Sequence, residues 1–214
     1  MLKKEIKFTC KVHLIVISTP EPVANEAENI NRLMEAGLGL FHLRKPESDL
    51  VSVAQLLSEI DPKYYDRIAL HQHHGLATEF GLKRLHFTEK HREKASLKAL
   101  QEIRQKGLIT STSIHDFSLL SSLNHFDYTF FSPVFDSISK QGYSSSLESG
   151  FRLEKPVGSP KVFALGGVEL KNLSQVKTMK FDGAAVLGAI WNREEEVRIG
   201  ILKGLMETCR NLNF

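Results

Sequence analysis

Hydrophobic positions along this chain fall into short apolar runs separated by longer stretches of mixed polarity. The runs lie near 12–18, 39–44, 67–71, 84–87, 109–113, 127–132, 161–165 and 183–187. They are short and bounded by turn signals, which suits buried strands, and each is followed by helix-like sequence. Such alternation predicts parallel strands joined by helical crossovers. Eight units predict an α/β fold, a single-domain (β/α)8 TIM barrel over residues 1–214, with a doubly wound open sheet as the architectural alternative. The first helix is predicted over 22–36 and stops before Gly37, the fourth carries Leu97, Leu100 and Ile103 at helical spacing, and the eighth covers 193–210. The sixth unit departs from the pattern, because a long polar loop replaces most of its helix.

Composition narrows the options. With 214 residues and 42% apolar content, the chain can bury one large core. A formal net charge of +3, with lysines and arginines scattered rather than striped among aromatics, argues against a nucleic-acid partner. Cys10 and Cys209 have no metal or redox spacing, which fits packing roles in a reducing compartment. The apolar run at 14–17 is too short for a signal-peptide core or a membrane span, so a cytoplasmic protein without a membrane partner is expected. No helix face reads as a dimer stripe, and a homodimer stays open.

Chemistry-bearing residues gather at the ends of the predicted strands. The segment 132–140 places Ser137, Ser139, Lys140 and free backbone amides just past the sixth strand. Gly166 and Gly167 end the seventh strand and Gly188 follows the eighth, where amides can approach an anion without a Cβ in the way. Together the three strand ends predict a phosphate cradle. The loop at 144–146 is expected to lie over it. Strand alternation points His42 with Arg44, His71 with His73, and Ser113 with His115. Arg44 reads either as a fork for a ligand phosphate or as a rim ion pair with a glutamate. His42 reads as the acid/base candidate facing the ligand; His115 reads equally as a core histidine bonded to a backbone carbonyl. His71, His73, His74, His86 and His91 contain no paired-histidine motif with a glutamate, so no metal is expected there. Trp191 reads as packing.

The order His42-Leu43-Arg44, Ser113-Ile114-His115, Ser132-Pro133-Val134-Phe135 with Ser137, Ser139 and Lys140, then Ala164-Leu165-Gly166-Gly167-Val168 and Asp182-Gly183-Ala184, resembles the thiamine-phosphate synthase/TenI family. The resemblance spans nearly the whole chain and implies a barrel that binds thiazole phosphate or thiamine phosphate. It implies that Ser137, Ser139 and Lys140 take the place of the family's Thr-x-Thr-Lys loop. It also implies that Gly166, Gly167 and Gly188 stand where the family meets the thiazole phosphate, Gly188 in place of a serine.

Departures from the family pattern bear on the reaction. The Asn-Asp-Asp after the third strand aligns with His71-Gln72-His73, the aspartate after the fourth falls near His91, and the glutamine and lysine flanking the arginine become His42 and Pro46. A synthase releases pyrophosphate with Mg2+ held by aspartates, so these replacements remove most of that apparatus. TenI-type tautomerases move a proton on a carboxythiazole phosphate and need no cofactor. Their histidine is replaced here by Pro133, so the resemblance leaves His42 or His115 as the catalytic proton carrier, with Arg44, His71, Ser113 and the cradle residues binding substrate. Three readings follow: a TenI-like tautomerase, a thiamine-phosphate synthase requiring Mg2+, and a non-catalytic phosphate-ligand binder.

Overall fold

A computed structural model of the chain describes residues 12–136, 147, 148 and 150–214. The strands β1 (Leu14–Ile17), β2 (Phe41–Leu43), β3 (Ile68–Leu70), β4 (Arg84–Phe87), β5 (Ile109–Ile114), β6 (Tyr128–Phe131), β7 (Lys161–Ala164) and β8 (Gly183–Val186) pair in parallel and in sequence order, and β8 pairs with β1 to close the barrel. All eight predicted runs therefore form the strands. Strands of a closed barrel are covered on both faces, which is why they read as nearly unbroken apolar runs.

Helices α1 (Glu26–Glu35), α2 (Leu50–Ser58), α3 (Leu76–Glu79), α4 (Glu89–Lys94), α5 (Leu97–Gln105), α6 (Leu173–Thr178), α7 (Gly188–Trp191) and α8 (Glu195–Asn211) lie outside the strands. Ala27, Ile30, Leu33 and Met34 of α1, and Leu202, Leu205 and Cys209 of α8, are buried at helical spacing against the sheet. Burial pushes the Cys209 thiol up to about 12, which suits a packing residue; Cys10 lies outside the described residues. Side-chain caps start several of the helices: Asp49 accepts from Ser52 N at 2.8 Å ahead of α2, and Ser96 accepts from Ala99 N at 3.2 Å ahead of α5.

The periodicity misplaced two things. The first helix begins at Glu26 rather than near 22, because the preceding loop is held elsewhere. Lys45, 2% exposed, donates to the carbonyls of Thr19 at 3.0 Å and Glu21 at 2.8 Å and pairs with Glu26 at 2.6 Å. After β5 the chain forms a 3-10 turn at Phe117–Ser122 in place of an α-helix. No helix of the described residues is long and apolar enough to cross a membrane.

A second apolar cluster fills the barrel itself. Ile15, Ile17, Leu40, Ala69, Ile109, Phe130, Phe163 and Ala185 point inward from their strands, as alternation requires. Trp191 is packing, as the sequence suggested: it is 6% exposed, its Nε1 donates to Ile17 O at 2.8 Å, and its ring meets Phe41 edge-on.

Candidate active site

The C-terminal strand ends carry the predicted residues, and the inward positions beneath them are unexpectedly polar. His42 of β2, His71 just past β3 and His86 of β4 come together, with ligand-capable nitrogens all within 4.8 Å of one another. His42 Nδ1 lies 2.8 Å from His71 Nε2, and His42 Nε2 lies 2.8 Å from the Tyr128 hydroxyl. His86 Nδ1 meets Ser111 Oγ at 2.9 Å and His86 Nε2 meets Ser113 Oγ at 3.2 Å. The rings of His71 and His86 stack with centroids 3.9 Å apart.

Electrostatics keeps this cluster uncharged. Burial, reinforced by the charge of its neighbours, holds His42 and His71 well below the usual imidazole range and brings His86 down to about 3. The Arg44 guanidinium adds to the effect on His71 and His86, since a nearby positive charge opposes an imidazolium. Burial also raises the Tyr128 phenol, so its hydroxyl keeps its proton.

Several expectations need correction. His42 points inward as predicted, but it is 0% exposed, with its two ring nitrogens held by His71 and Tyr128. His71 and His73 do not face the same way: His73 adopts φ 52°, which turns the chain out of the strand, and its Nε2 sits 2.9 Å from Ser48 O. His74 Nε2 is held at 3.0 Å by the His86 carbonyl, and His91 is exposed on α4. His115 is bonded to a backbone carbonyl, Nδ1 to Ser132 O at 2.5 Å, yet it is exposed rather than in the core. It lines a cleft of about 520 Å³ on the outer flank of the barrel with Phe117, Phe131 and Phe151. Arg44 is half-buried, and no described carboxylate pairs with it.

The anion cradle is described in part. Ser137, Ser139, Lys140 and the loop at 144–146 lie outside the described residues. Gly166 and Gly167 adopt φ +91° and +65°, as a sharp glycine turn requires. The space beside them is taken by the chain after β6. A Cβ on Gly166 would stand 2.9 Å from Pro133 Cα, and one on Gly167 would stand 2.6 Å from Asp136 O. Val134 N and Phe135 N donate to the carbonyls of Leu165 and Gly166, which seams the two loops together. Gly188 opens α7 beside them on the neighbouring strand end, close to the Asn192 side chain.

Sequence reasoning missed Tyr128 and Ser111. The available signal was their parity: Tyr128 shares the inward face of β6 with Phe130, and Ser111 that of β5 with Ser113.

The histidine cluster does not suit Mg2+. That ion asks for oxygen ligands in near-octahedral array, whereas the one group of three metal-capable residues among those described is made of imidazoles. Imidazoles suit zinc better, yet ligands about 2.0–2.1 Å from a tetrahedral zinc stand roughly 3.3 Å apart. The 2.8 Å between His42 and His71 is instead a hydrogen bond.

The fold is that of the (β/α)8 barrels, whose enzymes carry their active sites at the C-terminal mouth, where these residues gather. Residues 13–190 match the family model described as thiamine monophosphate synthase (TMP-TENI), and the chain belongs to that family. A thiamine-phosphate synthase of Yersinia pestis (strain Pestoides F) is 25% identical over 193 residues, covering 86% of this chain and 89% of that protein. Another, from Staphylococcus carnosus (strain TM300), is 26% identical over 175 residues, 76% of this chain and 80% of that one. The crystal structure of a thiamine phosphate pyrophosphorylase from Bacteroides thetaiotaomicron superposes with a TM-score of 0.69 at 27% identity, over 94% of this chain and 99% of that chain.

Proposed function

We propose that this protein is a TenI-like acid/base enzyme that binds thiazole phosphate at the barrel mouth and moves a proton on its ring. The observation that carries the reading is the neutral imidazole cluster of β2, β3 and β4 beneath the rim, where a pyrophosphate-releasing enzyme would need oxygen donors for Mg2+. In this reading Ser137, Ser139, Lys140, Gly166, Gly167 and Gly188 hold the phosphate, and Arg44 lends it positive charge. Ser113 and His71 meet the heterocycle. His71 is the catalytic residue, because its Nδ1 is bonded to no described residue and it keeps 4% of its surface exposed at the end of β3. His42 supports it from behind. His115 takes no part, since its ring lies away from the imidazole cluster, lining the flank cleft with Phe117, Phe131 and Phe151.

The test is tautomer exchange of a carboxythiazole phosphate. His71→Asn should slow exchange by about 10²–10⁴-fold while thiazole phosphate still binds. Unchanged exchange in that variant would remove the assignment. A second reading, a thiamine-phosphate synthase, is favoured by the names of the relatives. Mixing the protein with aminopyrimidine pyrophosphate, thiazole phosphate and Mg2+ separates the two, because only a synthase releases pyrophosphate.

A further inference from the structure

The glycine turn after β7 spends its carbonyls and leaves its amides free. Leu165 O accepts from Val134 N at 2.9 Å, Gly166 O from Phe135 N at 3.0 Å, and Gly167 O from Asn172 Nδ2 at 2.9 Å. The N–H groups of Gly166, Gly167 and Val168 give to no acceptor among the described residues, although Val168 is buried. Peptide N–H groups seldom stay unpaired away from water, and successive free donors in one turn are suited to an anion.

The neighbouring strand end brings a side-chain donor to the same place. Ala164 pairs with Ala184, so the chain emerges from β7 and from β8 side by side at the mouth. Gly188 does not take a positive φ, and its backbone conformation is open to any residue. What a side chain there would lack is room, since a Cβ would stand 2.9 Å from Asn192 Nδ2 and 3.5 Å from its Cγ. Asn192 closes the single turn of α7, its N–H donating to Gly188 O at 3.1 Å, and its side chain leans back toward the start of that turn, as helical side chains do. Trp191, pinned to Ile17 O at 2.8 Å, holds the turn from beneath. The Asn192 side chain is exposed and bonds to no described residue.

We propose that the Asn192 side-chain amide is a further ligand-binding group, donating to an oxygen of the same phosphate that the N–H groups of Gly166, Gly167 and Val168 hold. Gly188 serves by its missing Cβ, which leaves the amide its standing room. A neutral amide suits the task, because it adds a donor beside the anion without needing a counter-charge of its own. The donors define the anion, and only the thiazole attached to it rests on the proposed function.

The experiment titrates the 15N-labelled full chain with inorganic phosphate and, separately, with thiazole phosphate. Both should move the backbone resonances of Gly166, Gly167 and Val168. Asn192→Ala should weaken both ligands about 10–100-fold, the range for one hydrogen bond to a charged group. Asn192→Asp, nearly equal in size, should weaken them further, because a carboxylate only repels the anion. Gly188→Ala keeps Asn192 but takes its room, and should match Asn192→Ala. Gly188→Ser added to Asn192→Ala should recover part of the loss, since a hydroxyl enters the vacated space. Unchanged affinity in Asn192→Ala overturns the proposal, as does a phosphate titration that leaves the resonances of 166–168 in place. Thiazole phosphate binding no tighter than inorganic phosphate would discard the thiazole reading instead, and the inorganic phosphate series would still decide the role of Asn192.

Discussion

The barrel interior has two unlike arcs. Along β6 to β1, Phe130, Phe163, Leu165, Ala185, Ile15 and Ile17 pack as carbon against carbon. Along β2 to β5 the inward positions nearer the mouth hold His42, His71, His86, Ser111 and Ser113, above Leu40, Ala69 and Ile109, with Tyr128 reaching across from β6. Barrel interiors are usually filled by branched apolar residues, so the first arc is the ordinary one. The second is tolerated because its buried polar atoms find partners within the arc, and a satisfied network avoids the desolvation cost of an orphaned group. The glycine-ended loops belong to β7 and β8, over the apolar floor, while the imidazoles lie under the opposite side of the mouth. In the proposed function, anchoring and chemistry thus occupy separate arcs.

Acid should break the comparison most forcefully. In the unfolded chain the three histidines protonate near 6.5, whereas in the folded chain they stay neutral far below that, His86 to about 3. The unfolded state then binds more protons, so stability is full above about pH 6.5 and falls as pH drops toward the folded values. The slope is roughly 1.4 kcal/mol per pH unit per histidine, roughly 4 for three together. Urea midpoints at pH 7.5 and pH 5 read this directly. Equal midpoints would mean the polar arc is solvated rather than buried.

A smaller effect should come from the apolar arc. Phe163→Ala removes a ring that is 2% exposed and should cost about 3–5 kcal/mol, by the same amount at both pH values. A loss that grew in acid would tie the two arcs together. The smallest should come from the rim of the polar arc. Ser113→Ala deletes one hydrogen bond of 3.2 Å on a half-buried residue, and about 0.5–1.5 kcal/mol in thermal or urea unfolding is expected.

How much of this could be read in advance differs between strands and site. The strands were legible because enclosure on both faces leaves apolar runs such as Leu14–Ile17 and Tyr128–Phe131. The start of α1 was not, since Lys45 comes from another unit and its hold on Thr19 and Glu21 is a long-range contact that local periodicity does not carry. At the strand ends, His71 and Ser113 take the inward positions that alternation gives them. His42 also points inward but lies deeper than the rim, because alternation gives the direction of a side chain and not its depth. Tyr128 and Ser111 drew no reading of their own, although hydroxyls on an inward face are the sign of a polar interior.

Lys45 has a consequence of its own. Its ammonium gathers two carbonyls and a carboxylate from the stretch 19–26, the carbonyls 26 and 24 residues before Lys45 in the chain, into one dry knot. Lengthening that stretch by even one residue would displace at least one of the three and strand a cation away from water. Grafting of new loops onto this scaffold is accordingly best directed elsewhere, and the β1 corner is where its architecture resists remodelling.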